Sequence, residues 1–224
     1  MSKKPIKKSD LGKEWIQKRK TRHIESKLEY HLIICEGTET EPNYFETIKN
    51  KIKNQNKDKI TIKIVGKGRG TTNLVEEAVK EVNKSTNYIS RVWLIYDKDE
   101  FTEESFNKVV TICKELNKEE DTIYHPIWSN ECIETWILLH FIRFDTPINR
   151  KDCIKKLNNH FKQNKLGKYE KNDENLYERI KPYEETAIKN AKWLESRFDN
   201  NELPAQMNPC TQVHHLIEFL NKYI

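Results

Sequence analysis

Tyr30-His31-Leu32-Ile33-Ile34-Cys35-Glu36-Gly37 and Val92-Trp93-Leu94-Ile95-Tyr96-Asp97-Lys98-Asp99 decide how this chain folds. Each is a short apolar run that ends in carboxylates. Runs this short, rich in β-branched and aromatic residues, read as strands buried on both faces, as strands of parallel sheets are. In an open α/β sheet, ligands bind outside the carboxyl ends of the strands. Acids gathered there repel one another unless a cation sits among them.

The flanking sequence supplies the rest of the sheet. Tyr44, Phe45, Ile48 and Ile52 repeat at helical spacing from Glu41 to about Lys53, with Pro42 suited to the first turn. Ile60 to Val65 alternates as a strand. Gly66-Lys67-Gly68-Arg69-Gly70 is a loop, and Thr71 or Thr72 caps a helix running to about Lys84. Thr102 caps a further helix reaching about Leu116, and Thr122 to Trp128 is a strand interrupted late by Pro126. Ser129-Asn130 then opens a helix from Cys132 to about Phe141. Strands alternating with helices over residues 30–143 predict an α/β fold, a mainly parallel sheet of about four strands flanked by helices. Beyond Phe144 the strand signal stops, and segments near 150–164, 173–198 and from about 210 read as helical. The expected organisation is a basic arm (1–27), an α/β core (28–144) and a helical C-terminal extension packed on it (145–224).

Composition narrows the functional classes. With 33% charged residues and no apolar run long enough to span a bilayer, a membrane protein is not expected. No apolar segment follows the first lysines, so a secretory signal is not expected either. The five cysteines (35, 113, 132, 153 and 210) are scattered and form no CxxC pair, which argues against a disulfide framework or cysteine zinc site and fits a cytoplasmic setting. Residues 3–27 carry ten lysines and arginines against Asp10, Glu14 and Glu25. That arm either attracts phosphate backbones or is a solvated tail. Trp15 within it either stacks on a base or anchors the arm.

Glu36 follows the first strand directly, and Gly37 permits a tight turn and close approach of a ligand. Asp97 and Asp99 are two apart, so a continuing strand would point both the same way. Oxygen donors of this kind suit Mg²⁺ or Mn²⁺, bound by carboxylates, waters and substrate phosphates. The competing reading is a set of exposed turn acids.

The Glu36-Gly37 and Asp97-x-Asp99 pair resembles the Toprim domain of topoisomerases, primases and OLD-type nucleases. The wider pattern is closer still to the RloB-like proteins, a Toprim branch of bacterial restriction and anti-phage loci. Four stretches carry this: Cys35 to Phe45, Tyr96 to Asp99, Ser129 to Phe141 and Asn208 to His214. One departure is Glu131, where the family pattern has proline after Ser-Asn; the change should loosen that turn. The resemblance implies a Toprim-like fold in which Glu36, Asp97, Asp99 and Glu134 are catalytic. Glu36, Asp97 and Asp99 would hold Mg²⁺ or Mn²⁺, with Glu41, and less directly Glu39, serving a second ion. The implied activity is phosphodiester hydrolysis of DNA or RNA in anti-phage, abortive-infection defence. Toprim topoisomerases need a tyrosine on another domain; none fits here, so water is the simpler nucleophile.

Two alternatives stay open beside it. One is a non-catalytic nucleic-acid-binding or sensor subunit of a complex with an ATPase partner subunit. Another is a different Mg²⁺ phosphotransferase or a nucleotide-sugar enzyme, in which Glu36-Gly37 has no task. A homo-oligomer is also compatible. Secondary candidates for substrate phosphate are Lys67, Arg69 and Thr71, in a glycine-rich loop that lacks the Walker A spacing, and His214. Asn208 is expected to cap a helix with Pro209 in its first turn, placing Thr211 and His214 on one face. Trp93, Trp128 and Trp136 are expected in the core, as are the lone histidines His125 and His140.

Overall fold

The computed structural model describes residues 28–66, 71–99, 101–199 and 201–224, apart from the side chains of Thr71 and Thr72. The basic arm with Trp15, and the loop residues Lys67 and Arg69, lie outside the described residues.

Four strands run parallel: β1 (Glu29–Cys35), β2 (Ile60–Gly66), β3 (Ile89–Asp97) and β4 (Ile123–Asn130). A short β5 (Cys210–Thr211) pairs antiparallel with the end of β4, giving the order β2-β1-β3-β4-β5. Helices α1 (Thr40–Asn56), α2 (Thr71–Lys84) and α3 (Glu103–Glu119) make the crossovers between the parallel strands. The chain is an α/β protein with a mostly parallel sheet flanked by helices. Among the described residues no helix is long and apolar enough to cross a membrane.

Strand periodicity sorts the core onto the two faces. Ile33 and Cys35 of β1, Trp93 and Ile95 of β3 and Ile127 of β4 point to one face, where α1 and the C-terminal helices pack. Leu32, Ile34, Val92, Leu94, Tyr96, Tyr124 and Trp128 point to the other, under α2 and α3. Double-sided burial explains why β1 and β3 read as continuous apolar runs. The edge strand β2 alternates instead, with Ile60 and Ile62 buried and Thr61 and Lys63 exposed. Thr102 caps α3 as expected, its hydroxyl accepting the N–H of Ser105 at 3.3 Å.

After β4 come α4 (Glu134–Leu138), α5 (Arg150–Gln163), α6 (Leu176–Ile180), α7 (Glu184–Glu195) and α8 (Val213–Leu220). Their apolar sides join the same core as α1 and the sheet. Trp136 is fully buried, and its indole N–H donates to the Tyr44 hydroxyl at 3.2 Å, tying α4 to α1. Trp93 and Trp128 are core residues too. His140 is buried, whereas His125 is half-buried and stacks on Trp93 with ring centroids 4.1 Å apart.

Several local expectations are corrected. Ser129 and Asn130 do not open a helix; they are the last residues of β4, held there by pairing with β5. The helix that follows is shorter than expected, Glu134–Leu138. The segment 173–198 is two helices joined by a 3-10 turn (Lys181–Tyr183), because Pro182 cannot continue an α-helical ladder. Asn208 does not cap a helix: its side-chain oxygen accepts the N–H of Ile148 at 3.3 Å. Thr211 is a strand residue, its hydroxyl 2.9 Å from that of Ser129.

Candidate functional site

Strand order reverses between β1 and β3: β2 lies beyond β1, and β4 beyond β3. Crevices open at the carboxyl ends of strands at such a switch point. Glu36 follows β1 there, and Asp97 is the last residue of β3. A cavity of about 260 Å³ at this place is lined by Glu36, Glu39, Glu41, Asp97, Asp99 and Glu134, with Arg150 and Lys171 as its cations. All the acids singled out from the sequence therefore meet in one cleft.

Local structure fixes each of them. The Glu36 N–H donates to Ile95 O at 2.9 Å, and its carboxylate accepts the Asp97 N–H at 3.3 Å, so the ends of β1 and β3 are cross-linked. A Cβ on Gly37 would collide with the Glu41 carboxylate, and one on Gly66 with the Gly37 carbonyl. Gly37 leaves the room into which Glu41, in the first turn of α1, folds back over the β1 turn. The route from Asp97 to Asp99 is not a continued strand. Asp99 has a φ of +34°, in the left-handed region that Asp tolerates better than most residues. The turn is held by Lys98 N–H to Ser129 O (2.9 Å) and Asp99 N–H to Glu131 O (3.0 Å). The Glu131 carboxylate also accepts the Arg150 N–H at 3.0 Å, so it braces the start of α5.

Arg150 is the residue the sequence did not reveal. Its guanidinium lies 2.8 Å from Asp97 Oδ2, 2.6 Å from Asp99 Oδ2 and 3.8 Å from Glu134 Oε2. Tyr169 was missed as well; its hydroxyl donates to Glu134 Oε1 at 3.0 Å. Both come from the helical C-terminal region, where no motif marks them.

One arginine does not balance the cluster. Burial pushes the Glu36 carboxyl up to about 7, with Asp99 and Glu41 adding to the shift against the Asp97 N–H and Arg150. Burial also raises Asp97 well above the ordinary carboxylate range, with Glu41 and Glu134 reinforcing it. Glu41 and Asp99 are raised, again chiefly by burial. Arg150 is held more firmly protonated, since Asp97, Glu134 and Asp99 outweigh its burial. Two buried carboxylate oxygens, Asp97 Oδ1 and Glu134 Oε2, have no hydrogen-bond donor. Such atoms are costly to leave unmatched. An all-oxygen donor set with orphaned acceptors fits a hard divalent cation.

Of the remaining candidates, Lys67 and Arg69 lie outside the described residues. Thr71 begins α2, and its side chain is not described. His214 is buried outside the cleft, with Nε2 3.1 Å from Glu195 Oε2.

Fold and cleft define an α/β protein with a carboxylate-lined site at the switch point of its sheet. The family model described as RloB-like protein matches residues 31–220, and the chain belongs to this family. No curated protein and no solved structure matches it.

Proposed function

We propose that this RloB-like protein is a metal-dependent phosphodiesterase of the Toprim kind that hydrolyses a nucleic acid. The observation that carries the reading is the convergence of Glu36, Glu41, Asp97, Asp99 and Glu134 in one cleft with two donor-less carboxylate oxygens. Asp97, Asp99 and Glu36 would hold Mg²⁺ or Mn²⁺, with Glu41 and Glu134 completing the shell or serving a second ion. Bound there, the metal supplies Lewis-acid stabilisation of charge on the phosphoryl oxygens. Glu36 either ligates the ion or, left uncoordinated with its carboxyl raised by burial, takes a proton from the attacking water or returns one to the leaving oxygen. Tyr169 orients Glu134. The Arg150 fork is suited to pair with two oxygens of a phosphodiester, and Lys171 adds positive charge at the mouth. The anti-phage setting, and an ATPase partner subunit, join the proposal through the family resemblance alone.

A second reading is favoured by Arg150, whose guanidinium already meets Asp97 and Asp99. In that reading the cluster is closed by an internal cation, and the protein is a non-catalytic nucleic-acid-binding subunit. Incubating the purified protein with Mn²⁺ or Mg²⁺ and plasmid DNA, single-stranded DNA or tRNA separates the two. Cleavage of one substrate, lost in Asp97→Asn, is the expected outcome. Salt-dependent binding without cleavage would instead support the binding subunit.

A further inference from the structure

A second group of ionisable side chains sits where the end of α7 meets the start of α8, and its neighbouring cavity shares no lining residue with the acidic cleft. Glu195 closes α7; its carboxylate lies 3.1 Å from His214 Nε2 and 3.3 Å from His215 Nε2. One ligand atom from each of the three lies within 4.8 Å of the others.

The hydrogen bonds around His214 constrain what lies between these groups. Its Nδ1 is 3.1 Å from the carbonyl oxygen of Thr211, which can only accept. Nδ1 therefore carries a hydrogen, and in a neutral ring the Nε2 lone pair faces the Glu195 carboxylate. Two acceptors at 3.1 Å are joined either by a proton shared between ring and carboxyl or by a metal ion. A backbone carbonyl receiving the distal N–H is the usual support of a metal-bound histidine. The carboxylate is oriented in the same manner, by the Gln212 amide at 2.9 Å. Gln212 itself is anchored by its backbone N–H to Trp128 O at 2.8 Å.

Spacing and access agree with this. Ligand atoms about 2.0–2.1 Å from a tetrahedral Zn²⁺ are roughly 3.3 Å apart; both histidine-to-carboxylate separations are near that, and the two imidazole nitrogens lie within 4.8 Å of each other. His214 is fully buried, whereas His215 is half-exposed. Glu195, Gln212 and His215 line a cavity of about 670 Å³, which offers an entry path and room for a further ligand.

We propose that Glu195, His214 and His215 form a transition-metal site of the zinc class, with one carboxylate oxygen and two imidazole nitrogens as ligands and a fourth position open to the cavity. Borderline cations prefer this nitrogen-rich set, whereas Mg²⁺ prefers the oxygen-only cleft. The site stands independently of the phosphodiesterase reading.

The test uses the full chain, stripped with chelator and titrated with Zn²⁺ against a chromophoric competitor, and with Co²⁺ for its visible spectrum. Wild type and Asp97→Asn are each expected to bind Zn²⁺ at this site and to give an intense tetrahedral Co²⁺ band. His215→Ala, at an exposed position and checked for folding by circular dichroism, should weaken Zn²⁺ binding by about tenfold or more and lose the band. Equal affinity and spectra in wild type and His215→Ala, or no Zn²⁺ binding by wild type, would overturn the proposal and leave a proton as what joins His214 to Glu195.

Discussion

At the residue scale, Glu36 and Gly37 make separable predictions. Burial holds the Glu36 carboxyl at about 7 in the folded chain against an ordinary value of 4.5. A carboxyl raised on folding keeps its proton longer in the native state, so the contribution of Glu36 to stability is fully present below about 4.5 and is lost as pH rises through about 7. In chelator-treated protein, Glu36→Gln should remove this share of the decline and leave that of Asp97, Glu41 and Asp99. Above pH 7 the variant should be more stable than wild type by about 1–2 kcal/mol, after allowing for the exposure the side chain retains. Thermal melts from pH 4 to 8 check it; parallel profiles for the two proteins would contradict it. Gly37→Ala acts differently. Its new methyl meets the end of the Glu41 side chain and not backbone. Melting temperature should move little, while divalent-ion affinity should fall because Glu41 is displaced from the cleft. Mn²⁺ titration of the folded variant checks this, and unchanged affinity would remove Glu41 from the metal shell.

At the element scale, α8 is held by packing. Val213, Leu216, Ile217 and Leu220 are all buried, at i, i+3, i+4 and i+7, against the face that also receives α1 and α4. Leu216→Ala should cost about 2–5 kcal/mol, read by urea denaturation; a loss under about 1 kcal/mol would mean that α8 is only loosely docked. The same elements explain what could be read from the chain. β1 and β3 were legible because burial on both faces leaves an uninterrupted apolar run, and each run ends at its acid. β5 was not, since two residues carry no period and exist as strand only through pairing with Ser129 and Asn130. That long-range pairing also turned an expected helix start into the end of β4. Arg150 and Tyr169 were hidden for a similar reason. Neither belongs to a strand end or a recognised motif, and only tertiary packing brings them to Asp97 and Glu134.

At the scale of the whole molecule, strand ends and helices α1 and α4 supply the acids, and the C-terminal region supplies the cations that face them. Glu36, Asp97 and Asp99 come from the switch point, Glu41 from α1 and Glu134 from α4; Arg150 arrives from α5 and Lys171 from the segment after it. The C-terminal region is thus part of the cleft and not merely a cover for the sheet. Its guanidinium also poses the question on which the account turns: whether the carboxylates are closed by Arg150 alone or still take up a divalent ion. Two donor-less oxygens in a cleft of six acids that, among the described residues, faces only Arg150 and Lys171 indicate acceptor capacity still open to a cation. Titration of the chelator-treated protein with Mn²⁺, following the loss of the free-ion signal by electron paramagnetic resonance, tests this most directly. The account predicts saturable Mn²⁺ uptake by wild type that Asp97→Asn abolishes. A free-ion signal undiminished by excess wild-type protein, or equal uptake by Asp97→Asn, would contradict it.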